Sequence, residues 1–147
     1  MKVLFICHAN VCRSFMAQEI CRSVRPDIQA VSRGLYADPL YEVPPKVFHF
    51  LKSRGITPNT HTPTQVSAAD LQAADYVFVM EPEHLDLLLD KYAQYTDKYH
   101  LLLEFAYGKE QAVPDPIVLE GSSFEKQART LADAVEKAVG QLPHTSK

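Results

Sequence analysis

Residues 1–20 read MKVLFICHANVCRSFMAQEI, and this stretch decides how the fold is interpreted. Residues 3–6 form a short, uninterrupted apolar run, which is typical of a strand covered on both faces of a parallel sheet. Met16 and Ile20 then indicate a helix, because they lie one helical turn apart. The loop between them, residues 7–14, therefore follows the carboxyl end of the first strand, where open α/β sheets bind ligands.

The rest of the chain repeats this alternation of apolar runs and helical periodicities. Further strands are predicted at residues 77–80 and, from weaker patterns, at residues 29–32 and 100–103. Helices are predicted between Pro45 and Gly55 and after Pro82. Alternating strands and helices predict an α/β fold, an open parallel sheet flanked by helices in three layers, αβα.

The C-terminal part of the chain predicts one long amphipathic helix. Ser122 and Glu125 have the spacing of a capping box, which predicts Ser122 as the helix cap. Apolar residues follow at intervals of three and four from Phe124 to Leu142. This helix is expected to pack its apolar stripe against the body of the protein.

Length and composition limit the classes of protein that this chain can be. A chain of 147 residues with a net charge of −3 predicts one domain, residues 1–147, without the basic surface that nucleic acid or an anionic membrane requires. Three cysteines are too few and odd in number for a secreted disulfide framework. The apolar stretch before Cys7 is too short for a signal peptide or membrane span. We therefore expect a cytoplasmic protein, a monomer or weak dimer.

The loop at residues 7–14 has the composition of an anion cradle. Backbone N–H groups of the loop and of the following helix N-terminus can surround a phosphate-sized anion. Arg13 adds a planar fork that can hold two oxygens of a tetrahedral dianion. Cys7 would lie at the floor of the cradle, where positive surroundings favour a nucleophilic thiolate. No histidine or cysteine has metal-ligand spacing, so we predict no metal and no cofactor.

The segment ICHANVCRSFMA, residues 6–17, resembles the active-site loop of the low-molecular-weight protein tyrosine phosphatases. The family pattern is an apolar strand, then C-x-G-N-x-C-R-S, then a helix. The resemblance implies a four-stranded parallel sheet with the phosphate-binding loop after strand 1, and a cysteinyl-phosphate intermediate on Cys7. It implies that Arg13 clamps the phosphate together with the loop residues His8, Ala9, Asn10, Val11, Cys12 and Ser14.

The same resemblance implies roles for residues far from the loop. In VPDPIV, Asp115 matches the acid that protonates the leaving group and then activates water. Ser32 and His61 match two residues that support the loop together with Asn10 and Ser14. Cys12 matches a cysteine that can form a protective, reversible disulfide with the nucleophile. Cys21 is predicted to be a core residue.

Several positions depart from the family pattern. Ala9 replaces a glycine, Phe15 a proline, and Glu81 an acid one carbon shorter. Most tyrosine-specific members have aromatic residues after the catalytic aspartate, and here Ile117 occupies that position. The expected pocket wall therefore consists of Ile117 with Tyr36 or Tyr41 from the loop after the second strand.

The sequence favours phosphotyrosine on proteins as the substrate, with a tyrosine kinase as a candidate partner. Phosphoarginine is the main alternative, because relatives of that kind also lack the aromatic pair, although they carry threonine where this chain has Val11. A non-catalytic phosphate-binding or docking module is a second alternative. Arsenate reduction is disfavoured, because no cysteine follows Cys21 to relay the oxidation.

Overall fold

A computed structural model of the chain describes residues 1–144, and a sheet of four parallel strands forms its centre. The strands are β1 (Lys2–Cys7), β2 (Gln29–Gly34), β3 (Tyr76–Val79) and β4 (Tyr99–Leu101). Their order is β2-β1-β3-β4, and every neighbouring pair is parallel. The predicted α/β class and four-stranded parallel sheet are confirmed. The prediction of one domain over residues 1–147 includes three residues, 145–147, that lie outside the described residues.

Six α-helices and one 3₁₀ segment connect or cover these strands in the described part of the chain. The helices are α1 (Arg13–Val24), α2 (Pro45–Ser53), α3 (Ala68–Ala73), α4 (Pro82–Lys91), α5 (Leu102–Tyr107) and α6 (Gly121–Gly140). The 3₁₀ segment is Ala93–Lys98. Proline at the first position of α2 and α4 fits their starts, because proline has no N–H to leave unpaired there.

Side chains of β1 alternate between two buried clusters, which gives the fold its three layers. Val3 and Phe5 pack with residues of α1, α2, α5 and α6. Leu4 and Ile6 face the opposite cluster, which contains Leu71 of α3 and other residues of the second face. Because β1 is central and covered on both sides, its run of apolar residues is continuous rather than alternating.

Two sequence predictions about element boundaries were wrong. Strand β4 ends at Leu101, and Leu102 begins α5, so the predicted strand at residues 100–103 was placed too late. Helix α6 begins at Gly121, with Glu120 as its N-cap and no side-chain cap, so Ser122 lies inside the helix. The chain enters this helix with a φ of 56° at Gly121, a conformation that glycine adopts at little cost.

Helix α3 was missed because its six residues are too few to show a helical period. The sequence signal that could have predicted this helix was a capping box at its N-terminus. The Ser67 hydroxyl accepts from the Asp70 N–H at 3.2 Å, and the Asp70 carboxylate accepts from the Ser67 N–H at 3.0 Å.

The topology brings the ends of three strands to one edge of the sheet. Cys7 pairs in register with Gly34 at the end of β2, and β3 ends on the other side of β1, just before Glu81. The loop at residues 8–12 therefore lies at this edge, between β1 and α1. No helix among the described residues is long and apolar enough to cross a membrane.

Candidate active site

Asn10 organises the backbone of the loop between β1 and α1. Its φ is 63°, the only positive value at a non-glycine residue in the described chain. Its side-chain amide donates to the Ser14 hydroxyl at 2.8 Å, and its side-chain oxygen accepts from the Thr64 N–H at 2.9 Å. Asparagine adopts this left-handed conformation more readily than most residues, and Ala9, which replaces the family's glycine, has no positive φ.

Ser14 links this network to the Cys7 sulfur. The Ser14 Oγ lies 3.0 Å from Cys7 Sγ, and both groups are buried. Because the Asn10 amide already donates to this oxygen, the hydroxyl hydrogen is available to point at the sulfur. A hydroxyl aimed at the sulfur stabilises a thiolate, since hydrogen bonds to the charged form favour it.

His61 supports the loop from the opposite side. Its Nε2 lies 2.7 Å from the Asn10 carbonyl oxygen, which can only accept, so Nε2 carries the proton. The imidazole stacks on the Phe15 ring with centroids 4.3 Å apart. Burial lowers the pKa of His61 despite the hydrogen bond to Asn10, so the ring is neutral near pH 7. Phe15, which replaces the family's proline, thus provides a surface for the supporting histidine.

Ser32 does not take part in this network. Its hydroxyl is buried and donates to the Gln18 side chain in α1 at 2.9 Å. No hydrogen bond within residues 1–144 joins Ser32 to residues 8–14. Thr64, through its backbone N–H, supplies the contact to the loop that the resemblance led us to expect from Ser32.

The loop backbone contains a run of N–H groups without hydrogen-bond partners in the described chain. Those of Ala9 to Ser14 make no hydrogen bond to another group of the described chain. Helix α1 begins at Arg13 and has no acidic residue in its first turn, so its positive end is not offset locally. Unpaired N–H groups around a helix N-terminus form a site suited to a tetrahedral anion.

Arg13 is buried and fixed by one edge of its guanidinium. Its Nη1 donates to the Glu81 carboxylate and, at 2.8 Å, to the Val113 carbonyl. Its Nε and Nη2 make no hydrogen bond to the described residues, so that edge can face an anion. Burial opposes ionisation of Glu81, but the hydrogen bond and charge of Arg13 outweigh it and hold the pKa of Glu81 below its ordinary value.

Asp115 reaches this site from a distant part of the sequence. Its Oδ2 lies 3.6 Å from Arg13 Nη2, and its side chain is 42% exposed. Its Oδ1 accepts from the Ile117 N–H at 3.1 Å, which closes a tight turn around Pro116. The carboxyl group therefore touches both the edge of the cradle and solvent, where a group that exchanges protons with substrate and water is useful.

The other two cysteines are placed differently from Cys7. Burial, with the nearby charges of Asp115 and Cys7, raises the pKa of Cys12 to about 12. Burial also raises the pKa of Cys21 to about 12, and this residue belongs to the core as predicted. Both remain thiols near pH 7, which leaves Cys7 as the candidate nucleophile. All three cysteines are free in this structure.

His84 is a buried residue behind Arg13 and Glu81 that the sequence did not single out. Its Nε2 lies 3.9 Å from the Glu81 carboxylate, and its Nδ1 is buried without a hydrogen-bond partner in the described chain. Burial and the charge of Arg13 lower the pKa of His84 to about 4. A neutral imidazole therefore fills the space beneath the ion pair.

The predicted pocket walls are only partly assembled. Tyr36 is 56% exposed, and its ring lies 5.0 Å from that of His8. Gln65 holds this segment, because it accepts from Ala37 N–H and donates to the Leu35 carbonyl. Ile117 is half-buried beside Asp115.

Tyr41 is the predicted wall residue that the structure does not connect to the loop. It is 51% exposed, and its N–H closes a turn with the Asp38 carbonyl. No hydrogen bond or ring contact in residues 1–144 joins it to residues 8–14. Nor do the described residues contain a cluster of three or more side chains able to hold a metal ion.

Sequence reasoning missed the residues that act through their backbone. Thr64 N–H and the Val113 carbonyl carry no side-chain signature. His84 was also missed, but it had a usable signal, because it lies in the helix that follows a buried strand whose end is at the same edge as Cys7.

Similarity to known proteins extends over nearly the whole chain. The family model described as low molecular weight phosphotyrosine protein phosphatase matches residues 2–147. A protein-arginine-phosphatase of Bacillus subtilis is 28% identical over 148 residues, which span 97% of this chain and 94% of the relative. A low molecular weight protein-tyrosine-phosphatase, PtpB, of Staphylococcus aureus is 32% identical and covers 92% of each chain. The crystal structure of a low molecular weight protein tyrosine phosphatase from T. tengcongensis matches with a TM-score of 0.90 and 31% identity, covering 97% of this chain and 99% of that chain.

Proposed function

Because the chain belongs to the low molecular weight phosphotyrosine protein phosphatase family, we propose that it hydrolyses protein phosphotyrosine through a cysteinyl-phosphate intermediate on Cys7. The predicted loop residues His8 to Ser14 would bind the phosphate through their backbone N–H groups. The reaction needs no metal or cofactor in this proposal, since Arg13 and the loop supply the positive charge that a phosphoryl group requires.

In the first step, the Cys7 thiolate attacks phosphorus. The S–P bond forms as the bond between phosphorus and the tyrosyl oxygen breaks. Asp115, protonated at this stage, gives its proton to the departing oxygen, so tyrosine leaves as a neutral phenol. The Nε and Nη2 edge of Arg13 and the loop N–H groups stabilise the charge on the three equatorial oxygens.

In the second step, the Asp115 carboxylate acts as a base. It takes a proton from a water molecule, and the oxygen of that water attacks phosphorus. The S–P bond breaks, phosphate leaves, and Cys7 returns to the thiolate. The hydroxyl of Ser14, 3.0 Å from Cys7 Sγ, lowers the energy of the thiolate at the start and at the end of the cycle.

The observation that carries this proposal is the approach of Asp115 to Arg13. Their 3.6 Å separation brings a half-exposed carboxyl group to the edge of the loop that holds a buried thiol. A phosphate-binding module needs the cradle but has no use for a proton donor at its edge. The non-catalytic alternative is therefore disfavoured.

We propose phosphotyrosine rather than phosphoarginine as the substrate because two of the predicted wall residues border the site. Tyr36 beside His8 and Ile117 beside Asp115 offer surfaces for an aromatic ring, and Val11 adds no polar group to the loop. Phosphoarginine is a second candidate for a specific reason. The chain lacks an aromatic residue at Ile117, and the Bacillus subtilis relative is named a protein-arginine-phosphatase.

The test compares two peptides of the same sequence, one with phosphotyrosine and one with phosphoarginine. We expect a higher kcat/KM for the phosphotyrosine peptide with fully reduced protein. Preferred turnover of the phosphoarginine peptide would replace the proposed substrate with the second candidate. Binding of phosphate without hydrolysis of either peptide or of an aryl phosphate would support the docking module instead. A tyrosine kinase that produces the substrate remains a candidate partner.

A further inference from the structure

Lys46, in the first turn of α2, makes a set of contacts that the catalytic proposal does not use. Its Nζ donates to the Ile117 carbonyl at 2.5 Å, to the Leu119 carbonyl at 2.6 Å and to the Glu120 carboxylate at 3.0 Å. An ammonium group has three N–H donors, so these acceptors use all of them. The side chain is only 18% exposed. A fully satisfied, largely buried lysine holds one fixed position.

This position is electrostatically unfavourable with respect to the helices. Lys46 is the second residue of α2, and its ammonium lies beside Glu120, the residue before the first turn of α6. Cations near helix N-termini are repelled by the positive end of the helix dipole. The positive charge of Lys46 therefore does not stabilise either helix. Its favourable contacts are the two carbonyl oxygens, the carboxylate and the ring of Phe124, whose centroid lies 5.2 Å from Nζ.

Those carbonyls belong to the segment that follows Asp115. Ile117 donates its N–H to the Asp115 carboxylate, while its carbonyl accepts from Lys46. Leu119 donates its N–H to the Pro116 carbonyl and accepts from Lys46 in the same way. Lys46 therefore binds, through hydrogen bonds to two carbonyl groups, the turn that orients the Asp115 side chain.

The other side of Asp115 is held by Arg13. The Val113 carbonyl accepts from Arg13 Nη1 at 2.8 Å, and the Val113 N–H donates to the Met80 carbonyl at the end of the sheet. Asp115 therefore lies between two cationic anchors. One of them, Arg13, is part of the proposed anion site, and the other, Lys46, belongs to a different helix.

We propose that Lys46 is a positioning residue for the proton donor: by binding the carbonyls of Ile117 and Leu119, it holds Asp115 over the leaving group. The proposal rests on the proposed function, because it takes Asp115 as the acid. Loss of a positioning residue lowers the rate of proton transfer from Asp115 to the leaving group. It leaves phosphate binding at the loop unchanged. A displacement of about 1 Å in a reacting group can cost about a hundredfold in rate.

The test uses Lys46→Met and two aryl phosphates that differ in the leaving group. 4-Nitrophenolate departs with little help from an acid, whereas the phenolate from phenyl phosphate needs a proton. We expect Lys46→Met to lower kcat/KM for phenyl phosphate about tenfold or more, and kcat/KM for 4-nitrophenyl phosphate by less than about threefold. The comparison uses kcat/KM because it reports the steps up to release of the leaving group and excludes the later hydrolysis of the cysteinyl phosphate, which both substrates share. Inhibition by inorganic phosphate should stay unchanged. Lys46→Arg, which can reach the same carbonyls, should restore most of the phenyl phosphate activity.

Two controls separate positioning from general damage. Lys52→Met removes an exposed lysine from the same helix and should leave kcat/KM for both substrates as it is in the unmodified protein. Glu120→Gln removes the ion pair but keeps the carbonyl contacts, and it should have little effect on either substrate. Lys46→Gln serves as a second neutral variant if the methionine variant does not fold, as judged by circular dichroism.

A double variant distinguishes failure of this proposal from failure of the catalytic one. In an Asp115→Asn background, Lys46→Met should add almost no loss with phenyl phosphate, because there is no longer an acid to position. Equal losses of kcat/KM on both substrates, weaker inhibition by phosphate, or no loss of kcat/KM at all would overturn the role of Lys46. If Asp115→Asn itself shows no dependence on the leaving group, the acid is wrongly assigned and both proposals fail.

Discussion

A single hydroxyl group distinguishes the surroundings of Cys7, the proposed nucleophile, from those of Cys12. Ser14 accepts from the Asn10 amide and directs its own hydrogen at Cys7. Cys12, five residues along the same loop, lacks such a donor among the described contacts and stays a thiol, because burial raises its pKa to about 12. The two cysteines therefore differ in chemistry because of their neighbours.

Replacing Ser14 with alanine tests this explanation. The variant removes the donor to Cys7 and leaves one Asn10 N–H unpaired in a buried place. A hydrogen bond to a charged group contributes about 1.5–3 kcal/mol, so alkylation of Cys7 by iodoacetamide at a fixed pH of about 6 should slow at least about tenfold. Mass spectrometry of the modified peptide identifies the site. An unchanged alkylation rate would show that the serine does not stabilise the thiolate.

Replacing Cys7 with serine separates binding from chemistry. The variant should have no measurable turnover of an aryl phosphate, because a serine hydroxyl is far less acidic than a thiol. The loop N–H groups and Arg13 remain, so inorganic phosphate should still raise the melting temperature, as a ligand that binds only the folded state does. Substantial turnover by Cys7→Ser would show that the nucleophile is another residue.

The buried imidazole of His84 predicts how stability depends on pH. Its pKa falls from 6.5 in the unfolded chain to about 4 in the fold, through burial and the charge of Arg13. Between these two pH values, the unfolded state therefore binds more protons than the folded state. The stability that the neutral His84 imidazole contributes is complete above pH 6.5 and is lost as the pH falls towards 4. The shift corresponds to about 3 kcal/mol.

The measurement is the free energy of unfolding by urea between pH 7 and pH 4.5. His84→Gln cannot take up a proton and should show a shallower decline over this range than the unmodified protein. The charges facing the imidazole, Arg13, Glu81, Asp115 and His8, are kept in both proteins. Parallel curves would rule out His84 as the source of the pH dependence.

At the scale of elements, the end of β2 determines where the loop can lie. A Cβ built on Gly34 would be 3.0 Å from the Asn10 Cβ, from the His8 carbonyl oxygen and from the Ala9 carbonyl carbon. Real Cβ atoms are rarely so close to backbone, so the loop and the strand can only pack this tightly with glycine here. Strand β2 also holds the chain beyond the loop, since Leu35 and Tyr36 donate to the carbonyls of Cys7 and His8.

Gly34→Ala should therefore impair catalysis more than stability. The methyl group displaces the loop, and we expect kcat/KM for an aryl phosphate to fall at least about tenfold, with a loss of about 1–3 kcal/mol in unfolding free energy. Gly140→Ala at the end of α6 is the matched control, because nothing lies within 4 Å of its Cβ position. That variant should keep full activity. Full activity in Gly34→Ala would mean that the loop tolerates the shift.

At the scale of the whole molecule, the fold brings a buried arginine and unpaired backbone N–H groups to one edge of the sheet. The described residues contain no cluster of three side chains that could hold a metal ion, and the proposed reaction draws its positive charge from Arg13 and backbone N–H groups. We therefore predict that EDTA leaves aryl phosphate hydrolysis unchanged in reduced protein. Loss of activity with EDTA, restored by a divalent cation, would contradict the proposed mechanism.

The central part of the fold was predictable because its signals are local. The buried runs of β1 and β3 and the apolar periodicities of α1, α2, α4 and α6 each lie within a few consecutive residues. The ends of helices and strands were harder to predict where tertiary contacts override the local preference of the residues. The start of α6 is an example: Ser122 has the right spacing for a cap, but the chain enters the helix earlier, through Gly121.

The residues of the candidate site also divide into those that a local sequence pattern predicted correctly and those that depend on tertiary contacts. The loop motif named Cys7, Arg13, Asn10 and Ser14 because a contiguous segment forms the cradle. It also predicted His61, which bonds to Asn10. Ser32 was expected at the loop but bonds to Gln18 instead, since its side chain points from β2 towards α1. A one-dimensional pattern does not show which way a strand residue points relative to a distant loop.

The sequence by itself determined the parallel α/β fold, the order of the chemical groups in the loop and the identity of the candidate nucleophile. These depend on hydrophobic runs and on residues that are close along the chain. The tertiary structure alone decided the 3.6 Å approach of Asp115 to Arg13, the carbonyl contacts of Lys46 and the burial of His84 beneath Glu81. Their cause is the parallel topology, which brings the ends of strands and helices that are far apart in sequence to the same edge of the sheet.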